Sequence, residues 1–169
     1  LTYLEITGPE YHLNELGDLF LQHQQLPNLL ELRMKQSKCF TDLSIPLLPR
    51  HLTTLGISYS SMVSGNSFKF LPRCLTELNL NSSESIFDSD IQHLPRTLKR
   101  LRTENAIHLT ELCIADLPSH LETLLMSFNS QIPSSSFHKF PYSLRSYVPG
   151  SNLSFEKWSA GNGKIWEPK

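Results

Sequence analysis

One leucine pattern recurs along the chain at a nearly constant interval, and it constrains the fold more than any other feature. A unit close to Leu-x-x-Leu-x-apolar begins at seven leucines: Leu1, Leu29, Leu52, Leu75, Leu98, Leu121 and Leu144. From Leu29 onward every step has the same length, twenty-three residues, whereas the first step is longer by five. The period predicts stacked copies of one supersecondary unit, because a single unit of this size cannot bury its own apolar side chains.

Further apolar positions keep the same register within each repeat. The position eleven places after the unit start holds Phe40, Val63, Ile86, Leu109, Ile132 and Phe155, and the position sixteen places after it holds Ile45, Phe68, Ile91, Ile114 and Phe137. The position three places further on holds Leu48, Leu71, Leu94, Leu117 and Phe140, each followed by proline. Proline interrupts regular structure, so we expect a break before each short strand. A repeat of this length is too short for a full return helix, which predicts irregular or 3₁₀ return segments.

The two ends of the chain depart from the regular period. The longer first repeat places Leu13, Leu16, Leu19 and Phe20 at helical spacing, which predicts one helix over residues 10–21. After Phe155 the period is lost. We therefore divide the chain into a repeat domain, 1–155, and a tail, 156–169. Trp158 and Trp166 are expected to cap the last repeat, and the alternative is that one of them anchors a partner.

The recurring phrases LPRHLTTL, LPRCLTEL, LPRTLKRL and LPSHLETL carry a resemblance to a known superfamily. The chain resembles the leucine-rich-repeat superfamily, and these phrases are similar to FNIP-type repeats and to the LPX-type repeats of bacterial effectors. The first repeat resembles the longer repeats of F-box and similar ubiquitin-ligase receptors. The resemblance implies an α/β-type solenoid, wound as a right-handed superhelix, whose concave parallel sheet binds protein partners. It implies no cofactor and no shared catalytic residues.

Charge and cysteine content narrow the classes of partner and compartment. The formal net charge is −1, so the chain as a whole does not attract nucleic acid or a membrane surface. Cys39, Cys74 and Cys113 are far apart and odd in number, which favours a reducing, intracellular compartment. Asn-x-Ser triplets at Asn81 and Asn152 favour the opposite. We expect an intracellular protein that is a piece of a longer chain, since the sequence opens on the repeat itself.

Signatures of catalysis and of cofactor binding are absent from the sequence. It contains no glycine-rich phosphate loop, no Gly-x-Ser-x-Gly and no His-Glu-x-x-His. His51 and His120 share one repeat position but are three repeats, or roughly 14 Å, apart, which is too far to share a metal. The cysteines are expected to be buried or half-buried small residues. We therefore expect no enzyme activity, metal, cofactor or small-molecule substrate.

We expect parallel strands centred on Leu32, Leu55, Leu78, Leu101 and Leu124. Residues between the strand leucines are expected to point away from the core, with Thr54, Glu77, Arg100 and Thr123 on one face. These outward residues place Lys99, Arg100 and Arg102 in the middle of the sheet, flanked by Glu77 and Glu122. A second set of cations, Arg50, Arg73 and Arg96, precedes the strands in three successive repeats. The predicted partner-binding residues are Arg73, Glu77, Arg96, Lys99, Arg100, Arg102 and Glu122. The alternative is that these cations are solvated, or paired with Glu77, Glu104 and Glu122.

These patterns predict a protein-interaction module with an acidic protein partner. We expect the recognition arm of a larger protein, such as a ubiquitin-ligase receptor or an effector. Two alternatives are a structural subunit of a large assembly and a non-catalytic fragment of an enzyme. Membrane insertion is not expected, because no apolar run approaches the roughly 20 residues of a membrane helix.

Overall fold

Seven short parallel strands form one sheet in a computed structural model that describes residues 1–7, 26–35, 40–58, 63–81, 84–103, 105–126 and 132–148. The strands are β1 (Tyr3–Thr7), β2 (Glu31–Lys35), β3 (Thr54–Ser58), β4 (Glu77–Asn79), β5 (Arg100–Arg102), β6 (Thr123–Leu125) and β7 (Ser146–Val148). Their order in the sheet is their order in the chain. Each strand and the return segment after it form one rung. The predicted first-repeat helix and the tail from residue 156 lie outside the described residues.

The strand register follows the leucine repeat. Leu32, Leu55, Leu78, Leu101 and Leu124 are direct partners in successive strands. All five are buried, and together with the other apolar repeat positions they form one continuous core. The sequence prediction of parallel strands centred on these leucines is therefore confirmed.

Backbone hydrogen bonds extend the pairing one residue before each strand. In successive rungs one carbonyl accepts from two consecutive amides of the next rung, as Thr76 O does from the Lys99 and Arg100 amides at 2.8 and 3.0 Å. The Leu30, Thr53, Lys99 and Glu122 carbonyls repeat this pattern. Because these bonds run from rung to rung, they keep successive units in one register.

The return segments contain short helices, mostly of the 3₁₀ type. The 3₁₀ helices are Ile45–Leu47, Gly65–Phe70, Glu111–Asp116 and Ser134–Lys139, and one α-helical turn, α1, spans Asp88–Ile91. Carboxylates join them: Asp42 accepts from the Ser64 amide and hydroxyl at 2.8 and 2.6 Å. Two repeats later, Asp88 accepts from the Thr110 amide and hydroxyl at 2.7 and 2.6 Å. These hydrogen bonds connect neighbouring return segments on the side away from the sheet.

A buried and mostly polar position directly precedes the apolar row of Ile45 and Phe68, and sequence reasoning missed it. It holds Ser44, Ser67, Asp90, Cys113 and Ser136, all of them buried. The Ser44 hydroxyl accepts from the Thr41 amide at 3.1 Å, and the Asp90 carboxylate accepts from the Phe87 amide at 2.8 Å. Ser44 and Asp90 thus each satisfy a backbone donor near the start of the return helix, whereas the Ser67 hydroxyl donates to the Ser64 carbonyl at 3.0 Å.

Two rungs depart from the leucine unit. Thr103 takes the last inward position of the fifth rung, and Tyr147 replaces the strand leucine of the seventh. Tyr147 is buried against Phe140, with ring centroids 4.8 Å apart. The larger ring fills the space of the usual leucine, so the core continues into the last described rung.

Candidate protein-binding surface

The sheet has an exposed face that the return segments do not cover in the described residues. Two rows of side chains cross it, because residues two apart on a strand point to the same side. One row is Thr54, Glu77, Arg100, Thr123 and Ser146, and the other is Arg33, Gly56, Asn79, Arg102 and Leu125. We call this surface the sheet face. The prediction that Thr54, Glu77, Arg100 and Thr123 share one face is confirmed.

Two of the predicted cations, Arg100 on the sheet face and Lys99 beside it, are paired with predicted acids. Arg100 Nη1 lies 3.2 Å from Glu77 Oε2, and Lys99 Nζ lies 3.5 Å from Glu122 Oε1. The side chains of Arg100 and Lys99 are 63% and 55% exposed. Exposed ion pairs of this kind contribute little to stability but do reduce the local positive charge.

Arg102 differs from its paired neighbours. Its strand partners are Asn79 and Leu125, which carry no charge. Arg102 is exposed, and among the described residues no hydrogen bond or ion pair involves its side chain. Glu104, which the sequence suggested as a partner, lies outside the described residues. Arg102 is therefore the cation of the sheet face with uncompensated charge in the described part of the chain.

Arg73 and Arg96 are not on the sheet face. They lie in the turns that precede β4 and β5, and both are exposed. Arg96 Nη1 donates to the Asp116 carbonyl at 3.3 Å. The structure thus divides the seven predicted residues into five on or beside the strands and two at the rim where the strands begin.

A chain of the yeast Rad7–Elc1 complex shares this fold. That solved structure aligns with a TM-score of 0.65 and 23% sequence identity, over 86% of this chain and 41% of that chain. No family model matches the sequence, and no curated protein matches it either. At this identity the likeness shows the fold alone, and the chain spans less than half of the structure that it matches.

The predicted partner-binding residues do not include the charged residues of the first two strands. Arg33 Nε lies 2.5 Å from Glu31 Oε1, and Lys35 Nζ lies 2.6 Å from Glu5 Oε1. The hydrogen bond from Lys35, followed by one from Tyr3, lowers the pKa of Glu5 to about 2. The hydrogen bond to Glu31 raises the pKa of Arg33. Glu31 occupies the same repeat position as Glu77 and Arg100, and Glu5 and Arg33 occupy that of Arg102, so the repeat also places these three residues on the sheet face.

The cysteines differ in their surroundings. Burial, together with the nearby Asp88 and Asp116 charges, raises the pKa of Cys113 to about 12. The expectation of a buried cysteine holds there but is wrong for Cys74, which is exposed in the turn before β4. Cys39 lies outside the described residues.

The part of the chain that the structure describes also bears on metal binding and membrane insertion. No group of three or more His, Cys, Asp or Glu side chains there could hold a metal ion. No helix in those ranges has the length and apolar character needed to cross a bilayer.

Proposed function

We propose that the chain is a leucine-rich-repeat solenoid that binds another protein through the sheet face. The observation that carries the proposal is the openness of this face. Parallel sheets are usually covered on both sides, whereas here the described return segments all pack on one side and charged side chains occupy the other. Stacked repeats present such a surface to partners along their whole length.

The proposal also covers the superhelical shape of the chain and the kind of larger protein to which it belongs. We propose a right-handed superhelix with the sheet on its concave side, in line with the resemblance of the repeats. The fold likeness to a chain from a two-protein complex is compatible with a recognition arm, such as that of a ubiquitin-ligase receptor or an effector. We propose an intracellular location, supported by the free thiols of Cys74 and Cys113. We also propose a non-enzymatic role, in line with the absence of catalytic signatures from the sequence.

The partner proposed for the sheet face is an acidic protein surface. Arg102 is exposed and uncompensated within the described residues, and Arg100 is mostly exposed despite its pairing with Glu77. Charges of this kind speed the encounter and fix the register of two proteins more than they raise affinity.

The double variant Arg100→Glu with Arg102→Glu tests this proposal. We expect slower association with a captured partner and a weaker dependence of the rate on salt, with an almost unchanged melting temperature. The measurement is association kinetics at low and high salt, beside a thermal melt. The matched control is Lys69→Glu with Lys139→Glu, which changes the same charge on exposed return-segment residues.

Two outcomes would contradict the sheet-face proposal. An association rate unchanged from wild type would place the contact elsewhere, with Trp158 and Trp166 as the next candidates. A much lower melting temperature would mean that the two arginines act in stability, through partners such as Glu77.

A further inference from the structure

The arginines at the rim occupy one repeated turn. Arg50, Arg73 and Arg96 each follow a proline, and each turn is closed by a hydrogen bond from the leucine amide to the proline carbonyl. These N···O distances are 3.0 Å for Leu52–Pro49, 3.1 Å for Leu75–Pro72 and 3.1 Å for Leu98–Pro95. Each arginine is therefore the second residue of the same four-residue turn. We call these three residues the arginine ridge.

Bonds between rungs hold neighbouring turns of the ridge together. The Thr97 hydroxyl lies 2.7 Å from the Arg73 carbonyl and 2.8 Å from the Leu75 carbonyl of the preceding rung. The sheet pairing begins two residues later, with Lys99 N donating to Thr76 O at 2.8 Å. Paired strands lie about 4.8 Å apart, so three successive turns place the arginine backbones along a line of roughly 10 Å.

The charge of the ridge is uncompensated in the described residues. Arg50, Arg73 and Arg96 are all exposed, and no described carboxylate forms an ion pair with any of them. Arg96 contacts only a neutral carbonyl, that of Asp116, among the described residues. Lys99 and Arg100 follow shortly after Arg96, at the start of β5, but they are paired with Glu122 and Glu77. Among the described cations, the arginine ridge is thus a row of like charges without a described counter-charge.

The ridge has the length and chemistry to hold a short run of carboxylates. Arginine guanidinium groups form paired hydrogen bonds with carboxylates, and an extended peptide advances about 3.3 Å per residue. Roughly three or four residues therefore span the ridge. In the next rung the same turn position is Ser119, so the row of cations ends there.

We propose that the arginine ridge binds an extended Asp- and Glu-rich segment of the protein partner. This inference rests on the proposed function, because it names the chemistry of a protein partner and adds a contact at the rim of the sheet. A nucleic-acid strand offers the same sign of charge, but the net charge of −1 lacks the long-range attraction that phosphate-backbone binding uses.

The test uses a fluorescein-labelled peptide of six glutamates, measured by fluorescence anisotropy at low salt. The variant is Arg50→Gln, Arg73→Gln and Arg96→Gln together. Its matched control, Lys35→Gln, Lys69→Gln and Lys139→Gln, removes the same number of charges from exposed cations that are not among the predicted partner-binding residues. We expect about a tenfold loss of affinity for the ridge variant and a much smaller loss for the control.

Further probes distinguish binding at the arginine ridge from general attraction between opposite charges. A six-glutamine peptide should not bind, and a single-stranded oligonucleotide with six phosphates should bind more weakly than the glutamate peptide. The single variant Arg73→Gln, at the centre of the ridge, should lose affinity about twofold and provides the test if the triple variant melts early.

The inference is overturned by no measurable binding of the glutamate peptide, by equal losses in the two triple variants, or by tighter ridge-dependent binding of the oligonucleotide. Failure of the proposed function is recognised separately. It appears as an unchanged association rate in the Arg100 and Arg102 variant with the protein partner, whatever the peptide does.

Discussion

A single buried hydroxyl shows how one residue in the core can lower the stability of this fold. Thr103 occupies the inward position that Ile57, Leu80 and Met126 fill in other rungs. It is 0% exposed, and its Oγ1 has no hydrogen-bond partner among the described residues. The strand pairing does not suffer, because the Thr103 amide donates to Leu125 O at 2.8 Å. A buried hydroxyl without a partner loses its hydration with no compensating bond.

Replacing Thr103 by valine should therefore stabilise the protein. Thr103→Val keeps the shape of the side chain and removes the unsatisfied oxygen, so we expect the free energy of unfolding to rise by about 1 kcal/mol. Urea denaturation measures it. The control is Thr53→Val, because the Thr53 hydroxyl donates to Leu30 O at 3.0 Å and its loss should destabilise. Changes of the same sign in both variants would contradict this account of Thr103.

At the scale of elements, neighbouring return helices approach closely at one glycine. A Cβ atom added to Gly65, the first residue of its 3₁₀ helix, would lie 1.9 Å from Asp90 Cγ. Asp90 belongs to α1 of the next rung, where its carboxylate accepts from the Phe87 amide. The close approach therefore sets the spacing between these two return segments.

Gly65→Ala should destabilise the protein by about 1–3 kcal/mol, since Asp90 must move and its bond to Phe87 must weaken. Chemical denaturation measures the loss, and Asn66→Ala at the next, exposed position should be nearly neutral. In an Asp90→Ala background the alanine at position 65 should cost much less. An equal cost in both backgrounds would show that the contact with Asp90 is not the cause.

At the scale of the whole molecule, the core runs without interruption from Leu29 to Tyr147. Each described rung buries its leucines against the rungs before and after it. In such an array, stability is the sum of each unit and its neighbouring interfaces, so damage to one rung should be felt most by the rungs beside it.

Leu78→Ala in the central strand tests this coupling. Leu78 is fully buried, and we expect a loss of about 2–5 kcal/mol from the cavity left behind. Hydrogen exchange should rise most in β3, β4 and β5 and less in β7. Thr54→Ala on the sheet face should leave both stability and exchange nearly unchanged. Equal losses in the two variants would contradict the assigned faces of the strands.

Much of this architecture could be predicted because a constant period with fixed apolar positions leaves few ways to stack the repeats. The strand centres, the proline turns and the row shared by Thr54, Glu77, Arg100 and Thr123 all follow from the repeat. The apolar return positions are buried where the period places them, as Phe40 and Leu109 show. Each apolar position must face the core to be buried, and the spacing of apolar residues in the sequence already shows which positions these are.

Tertiary structure decided how the polar side chains are used, because their roles depend on atoms brought together from different rungs. The period placed Lys99, Arg100 and Arg102 on one face, but only the folded structure distinguishes Arg100, which is paired with Glu77, from Arg102. Likewise, nothing in the local sequence around Gly65 indicates that Asp90 fills the space beside it. Apolar burial is periodic and non-directional, whereas hydrogen bonds and ion pairs need particular distances and directions that only the folded chain supplies.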